Sequence, residues 1–465
     1  MTLGKLPDFQ GWADLVYGQW TRIPEQHWIG GSLDSRTLRK GELFFAVRGE
    51  KVDGHDFVEQ AWERGAVAAV VEKEQSVDLP QLVVENSIRT LQTMAAETRR
   101  CFTGKVFGVT GSCGKTTTKE ILATLLRRIA PTHATEGNFN NTLGVPLTLL
   151  GLQPEHRFAV IEAGINRPGE MVLLSRLIDP DEVLLTSIAP VHLEKLGSLE
   201  NIAREKTSLG RKRGGISDLT LTSACLPYAP VKGYPGHVRV LRKQGEAVEA
   251  DAEWWSGEGE IIFRYPLRQA GNTPEECYAL SPLSQGMMEN LVLALWIARR
   301  EGLASPEAAK TLQEWRPRGN RGRVVPKAHG CWYIDCYNAN PVSLRDALDF
   351  FQQVLTAKHT TPRLYLLGTM EELGEHREAL HREVLAEREW QSGDTFLLFG
   401  EQAETMQKAL RSKGVAAERI TVNPALAEAG QRVEEFAGSV FAKGSRKYML
   451  EKAFFTETLN KEKSC

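Results

Sequence analysis

The chain has 465 residues, 42% hydrophobic and 25% charged, with 57 Lys and Arg against 59 Asp and Glu and a formal net charge of -2. That length exceeds one comfortable core and points to about three domains of roughly 100 to 200 residues, while the charge balance gives no support to a nucleic-acid partner. No apolar run reaches the roughly 18 residues of a membrane span. The seven cysteines, at 101, 113, 225, 277, 331, 336 and 465, contain no C-x-x-C pair, which fits a reducing compartment better than a secreted disulfide framework. The opening "MTLGKLPDFQGWADLV" lacks the basic, apolar and small-residue order of a signal peptide. The expectation is a cytoplasmic protein without a transmembrane segment.

In chain order, "GELFFAVRG" reads as a strand, "DFVEQAWERGA" as an amphipathic helix, "VAAVVE" as a short strand and "SIRTLQTMAAETRRCF" as a second helix. A boundary falls near residue 103. The pattern then becomes strand, tight loop, helix: "KVFGVTG" before "KTTTKEILATLLRRIA", followed by "FAVIEAG", "GEMVLLSRLI" and "EVLLTSIA". Such alternation predicts a mostly parallel sheet covered by helices. Residues 214–282 are rich in turn formers, with short strands such as "IIFRYPL". An antiparallel edge or small subsheet is expected there, and the helix "MENLVLALWIARREG" follows.

Pro, Gly and Arg interrupt both periodicities at "WRPRGNRGR". Beyond it, "CWYIDCYNANPVSLRDALDFFQQV" is another strand-loop-helix unit, and "PRLYLLGTM", "TFLLFG" and "SVFAKG" read as further parallel strands. This part is expected to be Rossmann-like without the G-x-G-x-x-G fingerprint. The units are placed at 1–103, 104–317 and 318–465, and the tail "TETLNKEKSC" is expected to fray.

The densest chemical signal is "VTGSCGKTTTKE". Gly111 and Gly114 let backbone amides turn inward along Ser112, Cys113 and Thr117, Lys115 is placed to reach phosphate oxygens, and Thr116 offers a hydroxyl to Mg2+. Val109 stands where a longer Walker-type loop carries its first glycine, so the loop is a short one. A glycine-rich turn that binds nothing is the bland alternative, and the strand-to-helix context weighs against it. Further on, "ATEGNFNNTLGVPLTLL" carries Asn138, Asn140 and Asn141 just beyond a helix, and Glu162 ends an apolar strand, where a hard cation finds a carboxylate. His192 lies at a strand end and Lys206 on the helix after it. On residue type alone His192 is structural and Lys206 a solvated or snorkelling side chain.

The stretches "DSRTLRKGELFFAVRGEKVDGHDF", the phosphate loop, "GNFNNTLGVPLTLL", "YNANPVSLRDAL", "MEELGEHREALHREV" and "KGSRKYMLEKAF" together resemble the Mur ligase family. The resemblance spans nearly the whole chain. It implies a three-domain α/β architecture with a central P-loop domain and a C-terminal Rossmann-like domain. It also implies a monomeric ATP-dependent amide ligase of peptidoglycan precursor synthesis, with UDP-N-acetylmuramoyl-tripeptide and D-alanyl-D-alanine as substrates.

By the same resemblance Thr116 and Glu162 hold Mg2+, His192 helps to hold a second Mg2+, and Lys206 is carbamylated by CO2. Ser35 and Arg36 meet the UDP-sugar, and Asn138 and Asn141 line the substrate and phosphate channel. Asn290 begins a helix and contacts adenine, while Arg323 folds over the phosphates. Asp335 binds the ribose hydroxyls with Tyr337 and Asn338 beside it, and Lys443 and Arg446 close positive charge around the reaction centre. The chain departs from the family pattern at Gly286, where His is expected, at Thr369, where Asp is common, and in residues 214–237, which lack a "VLNADD"-like segment. A sister ligase adding a single amino acid and a catalytically silent ATP-binding scaffold are the competing readings.

Overall fold

A computed structural model describes residues 5–257, 259–265, 275–357 and 362–454. The tail "TETLNKEKSC" and the last two residues of "IIFRYPL" lie outside the described residues. The first sheet contains β1 (Gln19–Trp20), β2 (Gly31–Ser32), β3 (Leu43–Phe45), β4 (Ala68–Val71) and β5 (Gln81–Val83), in the order β1-β5-β4-β3-β2. All its neighbours run parallel except β1 with β5. The Ser87–Cys101 helix, capped by Asn86, leads out of it.

Nine strands form the central sheet: β6 (Lys105–Thr110), β7 (Thr132–Ala134), β8 (Phe158–Glu162), β9 (Glu182–Leu185), then β12 (Asp218–Thr222), β13 (Val238–Lys243), β14 (Ala252–Gly257), β15 (Glu260–Arg264) and β16 (Glu275–Ala279). A small hairpin, β10 (Arg211–Lys212) with β11 (Gly215–Ile216), interrupts the series. The order β16-β15-β14-β13-β12-β9-β6-β8-β7 puts β6 between β8 and β9. The chain leaves β6 toward one side of the sheet and returns on the other, and the crevice at such a reversal is where α/β sheets bind ligands. Strands β8 and β9 are buried at every position, as expected of parallel strands covered on both faces. The antiparallel edge foreseen in 214–282 is present as β14-β15-β16, continuous with the main sheet through parallel β12 and β13.

The third sheet has the order β17-β18-β22-β19-β20-β21, from β17 (Arg323–Lys327), β18 (Gly330–Asp335), β19 (Arg363–Gly368), β20 (Thr395–Phe399), β21 (Ile420–Val422) and β22 (Ser439–Lys443). Among the described residues only β17 is antiparallel. Register pairs Asp335 with Lys443 at the ends of β18 and β22. No helix among the described residues is long and apolar enough to cross a membrane.

Candidate active site

The phosphate loop owes its shape to two glycines. Gly111 has φ +152, and a Cβ there would collide with the Thr186 hydroxyl; Gly114 has φ +81, and a Cβ there would overlap the Asn290 amide. Gly114 is also the N-cap of the Lys115–Leu126 helix, and no side chain caps that end. The first-turn amides are left for an anion, and the helix dipole adds positive potential. Ser187, two residues past the end of β9, secures the loop by accepting from the Cys113 amide at 2.9 Å.

Two lysine amines converge on one carbonyl. Lys115 Nζ and Lys206 Nζ each donate to the Gly111 oxygen at 2.8 Å. Lys206, on the Leu199–Thr207 helix, is 2% exposed. Burial, and then the nearby Lys115 charge, pushes its amine well below the ordinary lysine range. Lys115 is also pushed down by burial, against the pull of Glu162. The solvated lysine that residue type suggests at 206 is therefore absent.

Glu162 ends β8 at 1% exposure. Its Oε1 accepts from the Thr116 hydroxyl at 3.1 Å and from Asn140 Nδ2 at 2.7 Å. Its Oε2 is buried without any hydrogen-bond partner. A buried carboxylate oxygen left bare is costly, and a hard cation ligated by carboxylate and hydroxyl oxygens would complete it. The donor set at Thr116 and Glu162 fits Mg2+. Among the described residues no three His, Cys, Asp or Glu side chains converge on a metal-sized point, so remaining ligands must come from phosphate, water or a modified side chain.

A cleft of about 1130 Å³ opens over this floor, lined by residues 112–117, Glu162 and Asn290 on one side and by Asp335, Tyr337, Asn338 and Lys443 on the other. Lys443 Nζ pairs with Asp335 and donates to the Asn338 carbonyl at 3.2 Å. Three hydrogen bonds from two residues, Asn340 and Asp346, cross between the two sides. Asn340 Nδ2 donates to Cys113 Sγ at 2.8 Å, and Asp346 accepts from the Ser284 hydroxyl at 2.6 Å and the Gly286 amide at 3.0 Å. Desolvation raises the Asp346 carboxyl above the usual range.

Several expected residues sit elsewhere. His192 is no strand end: it precedes the short Leu193–Leu196 helix with φ +52, pairs through Nδ1 with Glu372, and is not among the residues lining the cleft. Glu372 lines a separate cavity of about 420 Å³. Arg323 opens β17 opposite Ile334; Arg321 lines the cleft, its guanidinium 3.4 Å from the Tyr337 ring centroid. Arg446 is exposed and paired with Glu451. Asn290 lies in the second turn of the Gln285–Arg300 helix, not at its start. The asparagine loop follows strand β7, not a helix; Asn138 and Asn141 are exposed, and Asn141 accepts from the Leu143 and Gly144 amides. Asn140 is the member that reaches Glu162. Ser35 is buried and donates to Gln60, whereas exposed Arg36 pairs with Asp34 at 2.7 Å.

Residue type alone did not single out Arg321, Lys119, Asn340 or Asp346, and it noted Asn140 without giving it a role. For two of them a signal exists. Lys119 stands four residues after Lys115, hence on the same helix face, and Asn340 before Pro341 is a helix-start signal. Its amide oxygen indeed caps the Pro341–Asp349 helix.

An uncapped phosphate loop at the reversal point of a parallel sheet, facing the strand ends of a second α/β sheet, defines a three-domain nucleotide-binding α/β protein. Family models match residues 30–100 (Mur ligase family, catalytic domain), 109–217 (Mur ligase middle domain) and 320–446 (Mur ligase, glutamate ligase domain). The chain is 31% identical over 402 residues to the UDP-N-acetylmuramoyl-tripeptide--D-alanyl-D-alanine ligase of Haemophilus influenzae, covering 82% of each. It superposes on MurF of Acinetobacter baumannii with a TM-score of 0.80 at 27% identity, covering 97% of this chain and 98% of the other. MurF ligase of Thermotoga maritima, solved in complex with ADP, gives 0.73 at 25% identity, covering 91% and 96%. The chain belongs to the Mur ligase family.

Proposed function

We propose that this chain is an ADP-forming amide ligase that joins D-alanyl-D-alanine to UDP-N-acetylmuramoyl-tripeptide in the cytoplasm. The observation that carries the chemistry is the bare Glu162 oxygen beside the Thr116 hydroxyl, under a helix end with no side-chain cap. The substrates are those in the name of the Haemophilus influenzae relative. We take 1–103 as the UDP-sugar unit, 104–317 as the ATP unit and 318–465 as the closing unit of a monomer.

In this reading the loop amides and Lys115 bind the ATP phosphates and stabilise charge on the transferring phosphoryl group. Thr116 and Glu162 would hold Mg2+, which would supply Lewis-acid neutralisation of the phosphate oxygens. The peptide carboxylate attacks the γ-phosphorus and the bond to ADP breaks, giving an acyl phosphate. The dipeptide amine attacks its carbonyl carbon, loses a proton, and inorganic phosphate leaves. Asp335 faces the ribose, with Tyr337, Asn338 and Asn290 lining the nucleoside end. Arg321 is the cleft-facing arginine on the phosphate side, and Lys443 holds Asp335 in place. Closure of the last unit keeps water from the acyl phosphate.

The depressed amine of Lys206 supports a carbamate there: the uncharged amine would add to CO2 and release one proton, leaving an anionic carbamate whose oxygens could serve as ligands. His192, engaged with Glu372, is left out of the metal set. Ser35 and Arg36 remain the UDP-sugar candidates, with Arg36 able to exchange an exposed pair for phosphate at little cost.

The test is phosphate release with ATP, Mg2+, UDP-muramoyl-tripeptide and D-alanyl-D-alanine, the pentapeptide product being weighed by mass spectrometry. Release is expected only with both acceptor and dipeptide. Single amino acids supporting equal turnover would make it a sister ligase, and no product would make it a scaffold. Lys115→Ala is expected to lower kcat at least a hundredfold or so; equal turnover would remove the loop from the reaction.

A further inference from the structure

The mechanism above leaves unused a buried cation beside the phosphate loop. Lys119 lies one turn beyond Lys115 on the Lys115–Leu126 helix, with its side chain 4% exposed. A buried ammonium persists only with partners, and the structure gives it two. Nζ donates to the Gly137 carbonyl at 3.2 Å and stands 3.9 Å from Glu162 Oε2.

The division of labour on Glu162 is asymmetric. Oε1 takes both hydrogen bonds, from Thr116 and Asn140, and Oε2 takes none. Lys119 is close enough to offset the charge on Oε2 and too far to occupy its lone pairs, so that oxygen stays available to a cation. The Gly137 carbonyl belongs to the loop that carries Asn140 and also Glu136, whose Oε1 accepts from Arg39 of the first unit at 3.0 Å. One side chain thus touches both the carboxylate and the loop reaching the first unit.

We propose that Lys119 is a positioning residue for phosphoryl transfer: it aims the free oxygen of Glu162 into the cleft and fixes that carboxylate to the loop of Glu136 and Asn140. It touches no substrate. The inference rests on the ATP-dependent reading of the same cleft. A side chain that merely filled space would leave the metal dependence of nucleotide binding unchanged, and that dependence is the readout.

Two variants separate charge from hydrogen bonding. Lys119→Gln keeps a donor for the Gly137 carbonyl and removes the charge; Lys119→Arg keeps the charge. ADP affinity is measured by titration calorimetry with Mg2+ and with EDTA, and kcat and KM are measured alongside. In Lys119→Gln the gain in ADP affinity conferred by Mg2+ is expected to shrink about tenfold, the usual effect of losing a partner behind a metal ligand. Affinity in EDTA is expected to stay within about twofold, and kcat to fall about a hundredfold, as for a misplaced reacting group. Lys119→Arg is expected to keep most of the Mg2+ gain. A wild-type Mg2+ gain in Lys119→Gln, or its loss in a folded Lys119→Arg, overturns the inference alone. A wild-type protein that binds no ADP overturns the reading of the cleft and this inference with it.

Discussion

Lys206 shows how little residue type says about a side chain's state. On a helix with polar neighbours it reads as solvated, yet the fold buries it against the Gly111 carbonyl beside Lys115. Two amines sharing one acceptor cannot both stay charged cheaply, and burial together with the Lys115 charge holds the Lys206 amine well below the ordinary lysine range. Lys206→Ala is expected to cut kcat about a hundredfold or more, with partial recovery when formate or acetate replaces the missing carboxylate-like group. An unimpaired variant would take Lys206 out of the reaction. The conformations of Gly111, Gly114, Lys115 and Thr116 were legible because a strand-to-helix loop with Gly-Lys-Thr has one workable geometry, and Glu162 because it ends an apolar strand. The choice of Asn140 over Asn138 and Asn141, and of Arg321 over Arg323, was not. Those residues lie in or beside irregular backbone, where side-chain direction follows local hydrogen bonds and no periodicity exists to read.

Helices and strands were more readable than the contacts between them. β6, β8 and β9 and the Lys115–Leu126 helix fall where apolar runs and glycines place them, and the Gln285–Arg300 helix packs against the latter from far along the chain. His133, on β7, illustrates an inter-element contact with a measurable consequence. Its Nε2 donates to the Thr148 carbonyl of the Gly144–Leu150 helix at 2.8 Å, and burial lowers its pKa from 6.5 to about 4. The unfolded chain therefore binds the extra proton between those values. The stabilisation is full above pH 6.5 and is lost as pH falls toward 4. Over that window it amounts to at most about 3 kcal/mol. His133→Gln keeps a donor and is expected to flatten the acid limb of stability, read as urea midpoints at pH 7 and pH 4.5. Parallel loss in both proteins would assign the acid sensitivity elsewhere.

At the scale of the molecule, the units meet through a few polar ties. Asp346, from the third unit, accepts from Ser284 and Gly286 at the start of the Gln285–Arg300 helix, where a carboxylate complements the free amides and the dipole. Gly286 replaces the histidine expected from the family, and its bareness suits the contact: a Cβ there would stand 3.0 Å from Asp346 Oδ2. Asn290, one turn along, faces Gly114, so the tie supports the nucleotide end of the cleft. Asp346→Ala is expected to raise the ATP KM about tenfold, the equivalent of about 1.4 kcal/mol from a lost buried cap. Small-angle scattering is expected to show a larger radius of gyration. An unchanged KM and radius would mean that this tie does not hold the closing unit.

Sequence alone determined the α/β alternation, the three-part division, the phosphate loop and the strand-end acid Glu162, because each depends on residues close together in the chain and on backbone rules that act locally. Tertiary structure decided which amine is buried, which asparagine and arginine face the cleft, and which groups tie the units together. Those outcomes depend on solvent exclusion and on partners tens to hundreds of residues away, such as Asn340 with Cys113 and Lys206 with Gly111. No local pattern encodes the distance between them.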